Sequence, residues 1–192
     1  MLKRLPNALT SLRIATIPFL LWAALAQHHD VFTVLMIGCL VGDIADGILA
    51  RALNATSPLG ALLDSIADRL LFLVAGFGAW VFYPDALRAH PVAFSLIPGL
   101  WIAENLAALI RYGRLSSFHT WLSRIAAYVM GIFVGLLFLG ALQPWLIYIG
   151  VGVLALATAE ECVLLWMLPE WTADVRGAYW VLKSRAKTGV TP

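Results

Sequence analysis

Four aspartates, Asp43, Asp46, Asp64 and Asp68, fall within 26 residues of a 192-residue chain that is 61% hydrophobic and 12% charged. Soluble globular domains are roughly 45 to 50% apolar, so this composition is that of a membrane protein. Inside a bilayer an Asp at a helix centre costs on the order of 2.5 to 3.5 kcal/mol, and each one asks for a reason. At about 100° per residue, Asp43, Asp46, Gly47 and Ala50 share one helix face, and Gly60, Asp64 and Asp68 share one stripe of the next helix. The short connection predicts antiparallel neighbours whose acidic stripes face each other at a similar depth. Four ionised carboxylates that close repel strongly at low dielectric, so they either hold protons or bind cations. Two divalent ions would balance their charge. With no His or Cys among them, the hard oxygens favour Mg2+, Mn2+ or Ca2+ over zinc.

Gly42, Gly47, Ala50 and Gly60 remove side-chain bulk on and beside the acidic face. That permits either close helix packing or close approach of a ligand. Arg51 lies at the edge of the same face, where a guanidinium can pair with a phosphate. Carboxylate-held metals and an arginine against a diphosphate suit phosphoryl transfer, because the metals neutralise charge developing on the leaving group.

The pattern Asp43-x2-Asp46-Gly47-x2-Ala50-Arg51-x8-Gly60-x3-Asp64-x3-Asp68 resembles the full signature of the CDP-alcohol phosphotransferase (CDP-alcohol phosphatidyltransferase) family. Eight specified positions at the family's spacing make a chance match improbable. Pro6-Asn7-x2-Thr10-x2-Arg13 is similar to the opening segment of the bacterial phosphatidylglycerophosphate and cardiolipin synthases in that family. The resemblance implies transfer of a phosphatidyl group from CDP-diacylglycerol to an alcohol hydroxyl, with release of CMP. It also implies two Mg2+ or Mn2+ ions on Asp43, Asp46, Asp64 and Asp68, with Asp68 as general base on the acceptor. Gly47, Ala50 and Gly60 would make room for the nucleotide and Arg51 would contact its phosphates, with Asn7, Thr10 and Ser57 as further CDP-binding candidates. A homodimer is expected on the same ground.

The acceptor end is read from Arg111-Tyr-Gly-Arg114-Leu-Ser-Ser-Phe-His119-Thr120-x3-Arg124. Converging guanidiniums match phosphate oxygens, which makes Arg111, Arg114, His119 and Arg124 acceptor candidates; anchoring to anionic headgroups is the alternative. Phosphatidylglycerophosphate synthases usually carry a Gly-Lys-x-Lys-Thr run here, and this chain does not. Glycerol 3-phosphate is the first acceptor expected, with phosphatidylglycerol, an inositol phosphate or another polar alcohol as alternatives.

Positioning these residues falls to helices of about 20 apolar residues, the length a bilayer core roughly 30 Å thick requires. Six spans are expected: Thr10 to Ala26, Val31 to Leu53, Leu59 to Phe82, Pro91 to Arg111, Thr120 to Leu142 and Trp145 to Leu168. They form one all-α bundle, a single domain over residues 1–192, with Gly113 punctuating the fourth connection. Met1 to Leu9 mixes Leu with Lys3 and Arg4 and is expected as a short interfacial helix limited by Pro6. Basic residues cluster at both termini and around the second and fourth loops, with Arg88 opposite. The positive-inside rule then places both termini in the cytoplasm, and the cell (inner) membrane is the location expected. The first apolar stretch runs into further ones without a cleavage site, so it is expected to persist in the mature chain.

A net charge of +2 without like-charge runs argues against a nucleic-acid partner. Cys39 and Cys162 lie in apolar stretches and read as packing residues. Glu104, Glu160 and Glu161 interrupt spans, and pairing inside the bundle is the plainer explanation for them. His28 and His29, in a polar loop, read as solvated. Tryptophans near span ends fit an aromatic belt. A divalent-cation transporter is the rival class, since intramembrane Asp clusters also mark ion pathways. It predicts acids spread along a pore or repeated in two halves.

Overall fold

The computed structural model describes residues 5–52, 58–115, 120–170, 172 and 175–188, and no strand occurs among them. The helices are α1 (Leu5–Leu25), α2 (His29–Ala52), α3 (Pro58–Phe82), α4 (Pro84–Ala89), α5 (Pro91–Tyr112), α6 (Trp121–Phe138), α7 (Pro144–Met167) and α8 (Ala178–Thr188). Six of these, α1, α2, α3, α5, α6 and α7, are long and apolar enough to cross a bilayer. Large apolar side chains such as Phe19, Trp22, Ile110 and Trp166 are more than half exposed. Lipid tails, not water, are the solvent in which such a surface is stable. The chain is an all-α, multi-pass membrane protein.

Span boundaries agree with expectation to a few residues, and the exceptions are informative. Leu5 to Leu9 do not form a separate interfacial helix: α1 runs unbroken from Leu5, with Pro6 in its first turn, where a missing N–H has no partner to lose. Met1 to Arg4 lie outside the described residues. The Tyr83 to His90 turn contains a short helix, α4, and α8 was not anticipated. Gly113 ends α5 in the left-handed conformation (φ 66°) and donates to the Leu109 carbonyl, as its place in the sequence suggested.

The chain divides into two compact units, Met1–Ala89 with Val134–Ala141, and His90–Phe133 with Leu142–Pro192. In the first, α1 packs along both α2 and α3, which meet each other far less. Each helix buries one stripe at helical spacing: Thr10, Arg13, Ile17, Leu20 and Ala24 on α1; Phe32, Met36, Cys39 and Asp46 on α2; Ala67, Leu71, Val74 and Ala75 on α3. The stripes of α1 and α2 are apolar at one end and polar at the other. Beyond the apolar end, Tyr83 donates to the Phe138 carbonyl at 3.1 Å and sits 2.7 Å from His29 Nε2. Burial pushes the Tyr83 phenol up, so it stays a donor. His29 is therefore engaged within the unit, contrary to the solvated reading.

In the second unit α5 packs on α7 around Ala108, Leu164 and Leu165, with Tyr112, Leu168, Val175, Ala178 and Val181 against them. Thr120, fully buried, accepts from the Ser123 N–H through its hydroxyl at 3.0 Å and opens α6 as an N-cap.

Candidate active site

The four aspartates lie where the polar ends of α1, α2 and α3 come together. Asp43 and Asp46 are contributed by α2, Asp64 and Asp68 by α3. The expected arrangement had the two acidic stripes facing each other directly. Instead α1 packs against both helices and inserts Arg13 between the stripes. Arg13 Nη1 lies 2.6 Å from Asp43 Oδ1, 2.9 Å from Asp68 Oδ1 and 3.5 Å from Asp64 Oδ1, while Nη2 lies 2.5 Å from Asp46 Oδ2. Thr10, one turn earlier on α1, donates to the same Asp46 oxygen at 3.2 Å.

Burial divides the cluster. The Arg13 and Asp46 side chains are 3% and 7% exposed, whereas Asp43, Asp64 and Asp68 keep 44%, 47% and 56% exposure. Asp46 is a buried anion held by a cation and a hydroxyl, and the other three border open space. Four ionised carboxylates against the one guanidinium described among them leave three negative charges, which at reduced dielectric are relieved by protons or by a further cation. One carboxylate oxygen from each of Asp43, Asp64 and Asp68 lies within 4.8 Å of the others. Two oxygens on opposite sides of a hard cation at 2.0 to 2.6 Å are about 4 to 5 Å apart, so this acidic triad has the donor type and spacing to hold a metal ion.

Sequence reasoning placed Arg13 in the opening segment of the resemblance and among the basic residues of the N-terminus, and missed its contact with the aspartates. A signal was available. Arg13 falls inside the first apolar span, on the stripe of Ile17, Leu20 and Ala24, where a buried charge demands a partner.

The glycines beside the acids can be sorted by their surroundings. A Cβ added at Gly42 or Gly47 would meet no atom of another described element within 4 Å, so packing among the described helices does not account for either. Gly60 lies on α3 one turn before Asp64 and is partly buried. Asn7, Ala50 and Arg51 belong to helices of which only the backbone is described at these positions. Ser57 and His119 lie outside the described residues.

The other expected acceptor residues belong to the second unit. Arg111 donates from Nη2 to the Leu168 carbonyl at 3.1 Å and to the Trp166 carbonyl at 3.4 Å, and the Tyr112 hydroxyl donates to Leu168 and Leu165. These are carbonyls of the last turn of α7 and its cap, the partial negative end of the helix dipole. Arg114 is exposed after the end of α5. Arg124, exposed in the first turn of α6, stacks over Trp121 at 5.8 Å. Glu160 accepts from the Ala178 N–H at 3.2 Å, which fits the expected pairing inside the protein.

Residues 3–157 match the family model described as CDP-alcohol phosphatidyltransferase. A Mycobacterium tuberculosis protein provisionally named a cardiolipin synthase is 36% identical over 112 residues, 54% of this chain and 53% of the relative. An Aquifex aeolicus CDP-diacylglycerol--glycerol-3-phosphate 3-phosphatidyltransferase is 30% identical over 94 residues, 49% of this chain and 52% of the relative. The chain thus spans about half the length of these curated relatives. A Shigella flexneri protein with the same name as the Aquifex one is 26% identical over 176 residues, 90% of this chain and 94% of the relative. No solved structure matches the chain at a significant level.

Proposed function

Since this chain belongs to the CDP-alcohol phosphatidyltransferase family, we propose that it is an enzyme of phospholipid biosynthesis moving a phosphatidyl group from CDP-diacylglycerol to a polar alcohol. The observation that carries this reading is the convergence of Asp43, Asp64 and Asp68 beside Asp46, at the open end of α1, α2 and α3. A transporter would string its acids along a path, and here they gather at one spot.

In the proposed reaction the acceptor hydroxyl oxygen bonds to the phosphatidyl phosphorus, the bond from that phosphorus to the CMP oxygen breaks, and the hydroxyl proton passes to Asp68. Asp68 suits the part of general base because it is the most exposed of the four carboxylates at 56% and so the most accessible to an incoming alcohol. Asp43, Asp46, Asp64 and Asp68 are the residues that would hold two Mg2+ or Mn2+ ions; when bound, such ions supply charge neutralisation at the phosphates. The lack of a described neighbour at Gly42 and Gly47 supports a nucleotide there, with Asn7, Thr10, Ala50, Arg51, Ser57 and Gly60 assigned to it by the family resemblance. Because Thr10 donates to Asp46, its part is to orient that carboxylate. Arg114, His119 and Arg124 remain assigned to the acceptor; the α7 carbonyls compete for Arg111.

Glycerol 3-phosphate is the acceptor proposed, in keeping with the relative matched over nearly its whole length. Phosphatidylglycerol is the rival, favoured by the relatives named cardiolipin synthase. Bacterial relatives and the basic-residue distribution support an inner-membrane location with cytoplasmic termini, and family resemblance supports a homodimer.

The test is an acceptor screen on purified protein with radiolabelled CDP-diacylglycerol and Mg2+ or Mn2+. CMP release with glycerol 3-phosphate is the expected outcome. Release only with phosphatidylglycerol reassigns the acceptor. No release with any alcohol, together with metal flux in proteoliposomes, returns the chain to cation transport.

A further inference from the structure

The Arg13 guanidinium stands where a cation belongs. Its Nη1 lies 2.6, 2.9 and 3.5 Å from carboxylate oxygens of Asp43, Asp68 and Asp64, the three residues whose oxygens converge within 4.8 Å. Hard divalent ions sit 2.0 to 2.6 Å from such oxygens, so an ion among these residues and the observed Nη1 would compete for one volume. The guanidinium cannot relieve the conflict by losing its proton. It has to move.

We propose that Arg13 is an exchangeable counter-ion: Nη1 holds the place of a divalent cation among Asp43, Asp64 and Asp68 and withdraws when the ion loads, while Nη2 stays on Asp46. This rests on the reading that the acidic triad holds a metal.

Three features support exchange over a permanent clip. The bond from Nη2 to Asp46 is buried on both sides, with side chains 3% and 7% exposed, and provides a pivot. The triad partners are 44 to 56% exposed, so an ion can reach them without unpacking the helices. Arg13 Nε is buried without a hydrogen-bond partner, so the observed pose leaves one of its donors unmet, and a swing of the head gives that donor a chance to pair. Before loading, the guanidinium screens carboxylates whose mutual repulsion would otherwise push α2 and α3 apart. After loading, the same charge remains tethered at Asp46, close to wherever a phosphate meets the ions.

The experiment measures Mn2+ binding by electron paramagnetic resonance on the purified full-length chain in nanodiscs, without substrate, alongside thermal unfolding with and without Mn2+. Wild type is compared with Arg13→Gln and Arg13→Lys, each also combined with Asp64→Asn. The expected result is Mn2+ affinity higher by roughly tenfold or more in Arg13→Gln, as removal of a unit charge a few ångströms from the ion implies. Metal-free Arg13→Gln should melt below wild type and gain more from Mn2+. Arg13→Lys, whose single ammonium cannot span Asp46 and the triad together, should also bind Mn2+ more tightly than wild type, and it decides the matter alone if Arg13→Gln does not fold. Affinity equal to or weaker than wild type in the Arg13 variants overturns the exchange while leaving the metal reading intact. Absence of Mn2+ binding in wild type and all variants, or binding that Asp64→Asn does not weaken, overturns the metal reading and the exchange with it.

Discussion

Thr10 donates its hydroxyl hydrogen to Asp46 Oδ2 at 3.2 Å, tying α1 to α2 at the most buried of the four acids. The Thr10→Val variant keeps the shape and removes the donor, leaving Arg13 as the partner of Asp46 among the described residues. A buried acceptor that loses one partner costs about 1 to 3 kcal/mol. The melting temperature of Thr10→Val should therefore fall by several degrees, and Thr10→Ser should recover most of it. An unchanged melt in Thr10→Val would mean that Arg13 satisfies Asp46 unaided.

Asp68 is proposed to take the acceptor's proton. Asp68→Asn keeps the shape and an acceptor oxygen but cannot accept that proton at neutral pH, so kcat should drop by about 100- to 10,000-fold. The KM for CDP-diacylglycerol should stay within a few fold. Steady-state CMP release at saturating Mg2+ checks both. Full activity in Asp68→Asn would move the base elsewhere.

The acidic stripes were legible because the spacings between Asp43 and Asp46, and between Asp64 and Asp68, admit one helical face each, and carboxylates in an apolar chain have few other uses. What fills the space between the stripes was not legible. An arginine near the start of a span satisfies the positive-inside rule whether it faces lipid headgroups or a buried anion. Only the packing of α1 against both α2 and α3 distinguishes the two for Arg13. Arg111 hid its carbonyl partners for a similar reason: α7 lies over 30 residues away in sequence, and no local pattern announces which helix end an arginine will cap. The short α4 and the polar α8 escaped because neither has the long apolar run by which spans are recognised.

Gly47 offers a separation of ligand space from packing. Among the described residues no atom of another element lies within 4 Å of a Cβ added there, and Gly is among the poorest helix formers. Gly47→Leu should therefore melt at or slightly above the wild-type temperature. The proposed nucleotide would meet the new side chain, so the KM for CDP-diacylglycerol should rise at least tenfold with the acceptor KM little changed. A lower melting temperature with an unaltered donor KM would assign the glycine to helix packing.

Arg111 and Arg124 should part company. Arg111 donates to the carbonyls that close α7, so Arg111→Ala should cost about 1 to 2 kcal/mol of stability and leave the acceptor KM within about twofold. Arg124 lies exposed in the first turn of α6 over Trp121, so Arg124→Ala should cost less stability than Arg111→Ala and raise the KM for glycerol 3-phosphate. Paired melting and acceptor-saturation curves separate the two effects. The reverse pattern would make Arg111 the phosphate ligand and Arg124 the anchor.

Glu160 and Gly177 together determine how α8 begins. The Glu160 carboxylate accepts from the Ala178 N–H at 3.2 Å, at the partial positive end of α8. Gly177 holds φ at 147°, and a Cβ there would lie 2.7 Å from Glu160 Oε1 and 3.2 Å from the Trp180 ring. The position penalises a side chain twice, through backbone strain and through collision with the capping carboxylate. Glu160→Ala removes the cap alone and should cost about 0.5 to 2 kcal/mol. Gly177→Ala should cost at least as much, because it adds strain to a displaced carboxylate. Both variants should speed amide hydrogen exchange in α8 while exchange in α1 to α3 stays at the wild-type rate. If α8 exchanges at the wild-type rate in Gly177→Ala, the carboxylate does not hold the helix start, and Glu160 is free for another role.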